Sequence, residues 1–169
     1  IRDAATTSLM FGTDLEYQSH KSVASYINGE YWGIYNIREK INEHFISSKA
    51  NIPVDDIDIL TNNAEIVHGT NEDYINLTNF IYSNNLSNNI NYEYVKSQVD
   101  IDNFIIYNVI QIYSNNRDWP GNNIKYWKSD GGKWRWILYD TDFSFSGEHW
   151  AWDVNNHYLV NTLDFVLSG

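Results

Sequence analysis

The chain has 169 residues, 43% of them hydrophobic, and a net charge of −11 from 22 acidic and 11 basic side chains, a length and composition typical of one globular domain. The acidic excess repels phosphate backbones and argues against a nucleic-acid partner, while the absence of cysteine excludes disulfides and thiolate metal sites. No apolar run approaches the roughly 18 residues that a membrane span requires.

The beginning of the chain predicts a helix followed by a β-hairpin. Residues 1–12 carry apolar side chains at helical spacing. Residues 22–37 contain two β-rich runs on either side of Asn28-Gly29, and this dipeptide provides the two positive φ angles of a tight hairpin turn. Residues 38–45 then predict the end of a strand and the start of a short helix.

The middle of the chain predicts a connector and three helices. Residues 50–70 are interpreted as a polar connector with one short apolar run at 57–60. Asn71 is predicted to cap a first helix, and a second covers residues 92–99. The third, residues 100–112, is apolar on nearly every side, which predicts a central, buried helix.

The last third predicts an irregular loop and a second hairpin. Residues 115–123 are a string of turn formers that excludes regular structure. Residues 124–139 form two strands around a turn at 129–132, and the acidic segment 140–145 follows. The tail, 147–169, is irregular and then helical at 159–167. Nothing in the pattern divides the chain into two domains.

Acidic and amide side chains on either side of the second hairpin predict a phosphoryl-transfer site. Asp118 precedes Asn123 by five positions in the loop, the spacing of the catalytic Asp and metal-binding Asn in protein kinases. Because the hairpin returns the chain, Asp140 or Asp142 can lie beside them. One Asp would then orient the attacking hydroxyl, while the Asn and another Asp hold magnesium against the phosphates.

Other interpretations of these residues stay open. Asp118 could be a turn residue bonded to its own backbone, and Asn123 a structural amide. Six of the seven tryptophans lie between Trp119 and Trp152. If exposed, they could stack on sugars in a non-catalytic module that binds a glycan, calcium or a protein partner. Packing in a core is the commoner role of tryptophans in strands.

Three windows of the sequence resemble the CotH kinase family, the atypical protein kinases related to spore coat protein H. Residues 26–41, YINGEYWGIYNIREKI, are similar to the signature hairpin of that family. Residues 115–127 and 133–145 are similar to its Asn-x-Asp loop and to its strand end with the pattern Trp/Tyr-Asp-x-Asp. Together with Arg2-Asp3 at the helix start, the resemblance covers most of the chain.

The resemblance implies an α+β fold: a truncated protein-kinase-like fold with a small-lobe hairpin and a mostly helical large lobe that contains a catalytic-loop β-hairpin. Residues 1–169 would be a single partial domain. The strands that carry the family's phosphate-binding Lys would precede Ile1, and the C-terminal part would be missing as well. We therefore expect the 169-residue chain by itself to be a poor kinase or inactive.

The function implied is transfer of the ATP γ-phosphate to Ser or Thr of a protein substrate in a bacterial spore coat, secreted or at the cell envelope, with Mg²⁺ as cofactor. A pseudokinase that binds nucleotide without turnover is an alternative. The residues that the resemblance assigns are Asp118 (catalytic), Asn123, Asp142 or its competitor Asp140 (metal), and Ile37, Arg38 and Glu39 (nucleotide, as the hinge).

The sequence departs from the kinase pattern at two places within these windows. Ser144 stands where Asp-Phe-Gly would have glycine, and Asn116-Arg117 replaces the usual His-Arg before Asp118.

Overall fold

The structure, a computed structural model, describes residues 2–145. The predicted helix at 159–167 lies outside the described residues. The elements in chain order are α1 (Arg2–Ser8), β1 (Glu16–Tyr17), β2 (His20–Ile27), β3 (Glu30–Arg38), α2 (Glu43–Ala50), a 3₁₀ turn (Val54–Asp56), β4 (Ile57–Thr61), β5 (Glu65–His68), α3 (Glu72–Ser83), α4 (Asn89–Gln98), α5 (Ile101–Tyr113), β6 (Lys125–Ser129) and β7 (Arg135–Leu138). The predicted α+β class is confirmed, while the kinase-like architecture stays a prediction.

The strands of the described part form two separate sheets. Five strands make the larger sheet in the order β1-β7-β6-β4-β5. Its neighbours are antiparallel except for β1, which pairs parallel with β7. Among the described strands, β2 and β3 pair only with each other. The predicted second hairpin is thus confirmed as β6 and β7, in the middle of the larger sheet.

Helices cover both faces of the larger sheet. Successive side chains of each strand point to opposite faces, so each strand contributes to the core on either side. On β6, Tyr126 belongs to the core under α3, α4 and α5, and the next residue, Trp127, belongs to the core under α2. On β7, Trp136 and Ile137 divide in the same way. The sheet is therefore a buried central layer, and its loops at the β7 exit lie beside the end of α5.

The β2–β3 hairpin confirms the prediction from its turn. Asn28 and Gly29 have φ angles of 52° and 85°, the left-handed conformation that this turn requires. Unlike the larger sheet, the hairpin has most of its side chains exposed, among them Trp32 and Ile34. It shares neither of the two cores of the described residues.

The prediction of a polar connector at 50–70 is wrong. This segment contains β4 and β5, which form an antiparallel pair in the larger sheet. Strand β4 is central, with Ile57, Ile59 and Leu60 buried against both cores. The run at 57–60 is only four residues long and is interrupted by Asp58, so its pattern alone gives a weak strand signal.

Three predictions about the helices need correction. The side chain of Asn71 does not cap α3 but donates to the carbonyl of Ala64 at 2.9 Å.

Helix α5 is not buried on every side: Ile105 and Val109 are exposed. Helix α1 turns its polar side inward, so that its buried residues are Asp3, Thr6 and Thr7. In each case tertiary contacts outweigh the local pattern.

The tryptophans of the larger sheet are part of its core. Trp134 has 1% of its surface exposed and contacts Tyr126 with ring centroids 5.7 Å apart. Trp119, Trp127 and Trp136 are buried too, and Trp150 and Trp152 lie outside the described residues. The buried tryptophans cannot stack on a sugar, so the glycan-binding interpretation loses its main support. Among the described helices, none has the length and apolar character of a membrane span.

Candidate active site

The loop that holds Asp118 is anchored to the end of α5. Its start is fixed by Asn116, which is buried and bonds Gln111 twice: the backbone amide to the carbonyl at 3.1 Å, and Nδ2 to Oε1 at 2.9 Å. Asn115 has a φ of 50°, which turns the chain out of the helix. Asp118 then lies half-buried on the first turn after this anchor.

Asn123 joins this loop to the end of β7. Its Nδ2 donates to Oδ2 of Asp118 at 3.2 Å and lies 3.4 Å from the carbonyl oxygen of Asp140, a longer hydrogen bond. The φ of Asn123 is 59°, a left-handed conformation that asparagine tolerates better than most residues. One amide thus brings together two segments that are separated along the chain by the β6–β7 hairpin.

The two acids after β7 differ in environment. Asp140 is half-buried and has a φ of 50°, whereas Asp142 is exposed. Burial raises the pKa of the Asp140 carboxyl. The negative charge of Asp142, and after it that of Asp3, raise this pKa further, and Asp118 adds to the effect. Asp140 therefore lies within electrostatic range of three other carboxylates.

The segment after Asp142 returns to the start of the loop. The hydroxyl of Ser144, which is fully buried, donates to Oγ of Ser114 at 3.2 Å. The amide of Phe145 donates to the carbonyl of Ser114 at 2.6 Å. Ser144, the predicted departure from the kinase glycine, therefore has a structural explanation: its hydroxyl helps to close the strand end onto the loop.

Arg38 and Glu39, predicted with Ile37 to contact a nucleotide, have contacts of their own. Arg38 Nη2 lies 3.0 Å from Oδ2 of Asp3. The backbone amide of Glu39 donates to the carbonyl of Ser19 at 3.2 Å, and its carbonyl accepts from Gln18 at 2.5 Å. Ile37 is exposed. Both backbone groups of Glu39 are therefore already bonded within the protein, and a nucleotide base could use only the second lone pair of its carbonyl oxygen without displacing a contact.

The oxygen atoms at this site suit Mg²⁺ better than a metal held by protein alone. Within residues 2–145, no group of three or more His, Cys, Asp or Glu side chains is arranged to enclose a metal ion. Magnesium commonly takes only one or two carboxylates and completes its shell with water and phosphate oxygens. Carboxylate and amide oxygens are available from Asp140, Asp142 and Asn123, so the donor set fits magnesium with a phosphate ligand.

Asp3 and Thr141 also belong to the site, although neither was predicted as a site residue. The Asp3 carboxylate is buried and accepts hydrogen bonds from Thr141, the residue between the two acids, through the backbone amide at 2.7 Å and Oγ1 at 3.0 Å. The two residues are 138 positions apart. Asp3 was noted only at the helix start and Thr141 stood only as the middle residue of the Asp-x-Asp pattern, so no spacing in the sequence linked them.

A family model described as CotH kinase protein matches residues 1–163, nearly the whole chain. No curated protein matches the chain.

Proposed function

Because the chain belongs to the CotH kinase family, which implies a kinase-type phosphotransferase, we propose that it forms the catalytic core of a protein kinase that transfers the γ-phosphate of ATP to Ser or Thr hydroxyls with Mg²⁺. The observation that carries the proposal is the contact of Asn123 with both Asp118 and the backbone of Asp140. It joins the candidate catalytic loop to the candidate metal-binding strand end, as phosphoryl transfer requires.

Asp118 is proposed to accept the hydrogen bond of the substrate hydroxyl. One carboxylate oxygen accepts a hydrogen bond from Nδ2 of Asn123 at 3.2 Å, which leaves the other oxygen for the hydroxyl. When the hydroxyl oxygen attacks the γ-phosphorus, its proton passes to Asp118, and the bond between the γ-phosphorus and the β–γ bridging oxygen of ATP breaks. General base groups of this kind typically contribute about 10²- to 10⁴-fold in rate.

Asn123, Asp142 and Asp140 are proposed to hold the metal. The Nδ2 atom of Asn123 is used in its two protein contacts, so its amide oxygen is the atom that would face a cation. Asp140 or Asp142 would supply a carboxylate oxygen. When bound, Mg²⁺ would neutralise charge on the phosphate oxygens. Its positive charge would also relieve the repulsion that raises the pKa of Asp140.

The nucleotide and the protein substrate are assigned on the family alone. We propose that ATP lies against the segment of Ile37, Arg38 and Glu39 at the end of β3. The substrate is proposed to be a Ser- or Thr-containing protein of a bacterial spore coat or cell envelope. The net charge of −11 is unfavourable for nucleic acid, which is therefore not proposed as a partner.

Substitution of Asp118 by Ala in the full-length protein tests the proposal. We expect phosphate transfer from radiolabelled ATP to fall by about 10²-fold or more with little change in Tm, because Asp118 is only half-buried. The matched control is Asp130→Ala, an exposed acid in the β6–β7 turn, which should leave transfer unchanged.

Three results would contradict this assignment. Normal turnover of Asp118→Ala would exclude Asp118 as the catalytic residue. A wild-type protein whose Tm rises with ATP and Mg²⁺ but which transfers no phosphate would be a pseudokinase. A rise in Tm with calcium or a glycan alone, and none with ATP and Mg²⁺, would favour a binding module.

A further inference from the structure

The buried carboxylate of Asp3 lies at the meeting point of three parts of the chain. It belongs to the first turn of α1 and is 2% exposed. Oδ1 accepts from the amide and the hydroxyl of Thr141 at 2.7 and 3.0 Å, and Oδ2 lies 3.0 Å from Nη2 of Arg38. Both carboxylate oxygens are thus occupied, one by the exit of β7 and the other by the end of β3.

Thr141 is the residue through which this contact reaches the candidate metal site. It lies between Asp140 and Asp142 and is fully buried. The amide of Thr141 belongs to the peptide group that follows Asp140. Asp140 has a φ of 50°, which is an unfavourable conformation for a residue with a Cβ atom. Such a conformation persists only where surrounding contacts hold it. The Asp3 carboxylate provides two of these contacts at Thr141.

We propose that Asp3 is a positioning residue of the active site: it holds the Asp140–Asp142 segment through Thr141 and the Arg38 guanidinium in one fixed arrangement, so that metal binding depends on α1. This inference rests on the proposed phosphotransfer function and extends it to a residue that does not touch the metal or the substrate. The arrangement places one cation beside a group of carboxylates that otherwise repel each other.

The electrostatics of the site agree with this geometry. Among the charges around Asp140, Arg38 lowers the pKa of its carboxyl, against the effect of the surrounding acids. If Asp3 lost its charge, Arg38 would lose its buried partner, and its position near Asp140 would no longer be fixed. Residues that orient metal ligands in this indirect way typically change metal affinity or activity by about 10- to 100-fold when substituted.

The decisive variant is Asp3→Asn in the full-length protein. An amide keeps the shape but replaces one acceptor oxygen with a donor, which faces either the Thr141 donors or Arg38. We expect the Mg²⁺ concentration for half-maximal phosphate transfer to rise about 10-fold or more, with kcat reduced. Asp102→Asn is the matched control, because Asp102 is also an acid in the first turn of a helix but is exposed; it should leave both quantities unchanged.

Thr141→Val provides a second variant in case Asp3→Asn does not fold. Valine keeps the backbone amide bond to Asp3 and removes only the hydroxyl bond, so we expect a smaller rise in the Mg²⁺ requirement. If both variants fold and keep the wild-type Mg²⁺ requirement and kcat, although their Tm is lower, Asp3 has a structural role only and the inference is overturned.

A direct measurement of metal binding separates this inference from the proposed function. Mn²⁺ affinity can be determined by electron paramagnetic resonance without any turnover. If the wild type binds Mn²⁺ with ATP but transfers no phosphate, the kinase proposal fails, and a weaker Mn²⁺ affinity of Asp3→Asn would still support the positioning role. Equal Mn²⁺ affinity of the wild type and Asp3→Asn, or the absence of Mn²⁺ binding in the wild type, would contradict it.

Discussion

Two groups of carboxylates in this protein have opposite relations to positive charge. On β7, Arg135 contacts three acids: Nε lies 2.9 Å from Glu16, Nη2 lies 3.0 Å from Asp14, and Nη1 pairs with Asp100. At the candidate active site, Asp140 has the charges of Asp142, Asp3 and Asp118 around it, and the opposing cation, Arg38, has Asp3 as its ion-pair partner. The first group already contains its cation, Arg135, whereas the second group is suited to bind a metal cation.

The pKa values of one acid in each group express the same difference. Burial raises the pKa of Glu16, but the positive charge and hydrogen bonds of Arg135 act against this rise. Burial also raises the pKa of Asp140, and there the next-largest effects, from Asp142 and Asp3, act in the same direction. A raised pKa alone therefore does not identify a functional carboxylate, and the charges of the neighbouring groups have to be considered with it.

The largest effect on stability is expected from Arg135→Met, which would remove the cation of the first group. Methionine leaves the half-buried carboxylate of Glu16 without its ion-pair partner, so we expect a loss of about 2–4 kcal/mol in the free energy of unfolding, measured with urea. Lys133→Met, at an exposed position just before the same strand, should change it by less than about 0.5 kcal/mol. Equal losses in both variants would show that the Arg135 contacts contribute nothing.

A smaller stabilisation is expected from magnesium at the second group. A ligand that binds only the folded state adds about 1.4 kcal/mol at a concentration ten times its Kd. We therefore expect MgCl₂ to raise the Tm relative to NaCl of equal ionic strength. Asp140→Asn or Asp142→Asn should reduce this rise, and the variant with the larger reduction identifies the metal ligand.

Asp14→Asn is the control for the magnesium experiment, because Asp14 is an exposed member of the Arg135 group. It should leave the Mg²⁺ response as in the wild type. A loss of the response in Asp14→Asn, with none in the other two variants, would place the cation at the wrong group and contradict the comparison.

The smallest effect concerns pH and Glu16. Because its pKa in the folded protein is raised from 4.5, the folded state binds more protons than the unfolded state between these two values. Stability therefore falls as pH rises through this window. Glu16→Gln cannot titrate, so the stability difference, wild type minus variant, should fall with pH above about 4.5 and then become constant. Urea unfolding at several pH values measures it, and a rising difference would contradict the assigned direction.

The parts of the fold that were predicted correctly have local signals. Asn28-Gly29 determines the first hairpin through the φ angles of two adjacent residues. Asp100 begins α5 with a side-chain bond to the amide of Asn103 at 3.2 Å, a contact within one turn. The loop at 115–123 is equally evident, because its residues oppose regular structure. Each signal lies within a few residues of the feature that it predicts.

The parts that were missed depend on contacts between distant residues. Strand β4 is recognisable with confidence only once β5 and β6 pair with it, since its run of four residues, interrupted by Asp58, is a weak signal by itself. Asp3 could not be assigned to the site because its partners, Arg38 and Thr141, come from the end of β3 and from the segment after β7, both distant from it along the chain. Asp118, Asn123, Asp140 and Asp142 were proposed from kinase-like spacing, and their chemical roles stay predictions.

The exposed β2–β3 hairpin has a consequence for the behaviour of the chain in solution. A two-stranded sheet has two edges with free backbone donors and acceptors, and this one also presents Trp32, Ile34 and other large apolar side chains. Long-range repulsion from the net charge of −11 keeps copies of the chain apart at low ionic strength. Salt screens that repulsion but not the attraction between apolar surfaces, so added salt should favour association of copies of the chain through this hairpin.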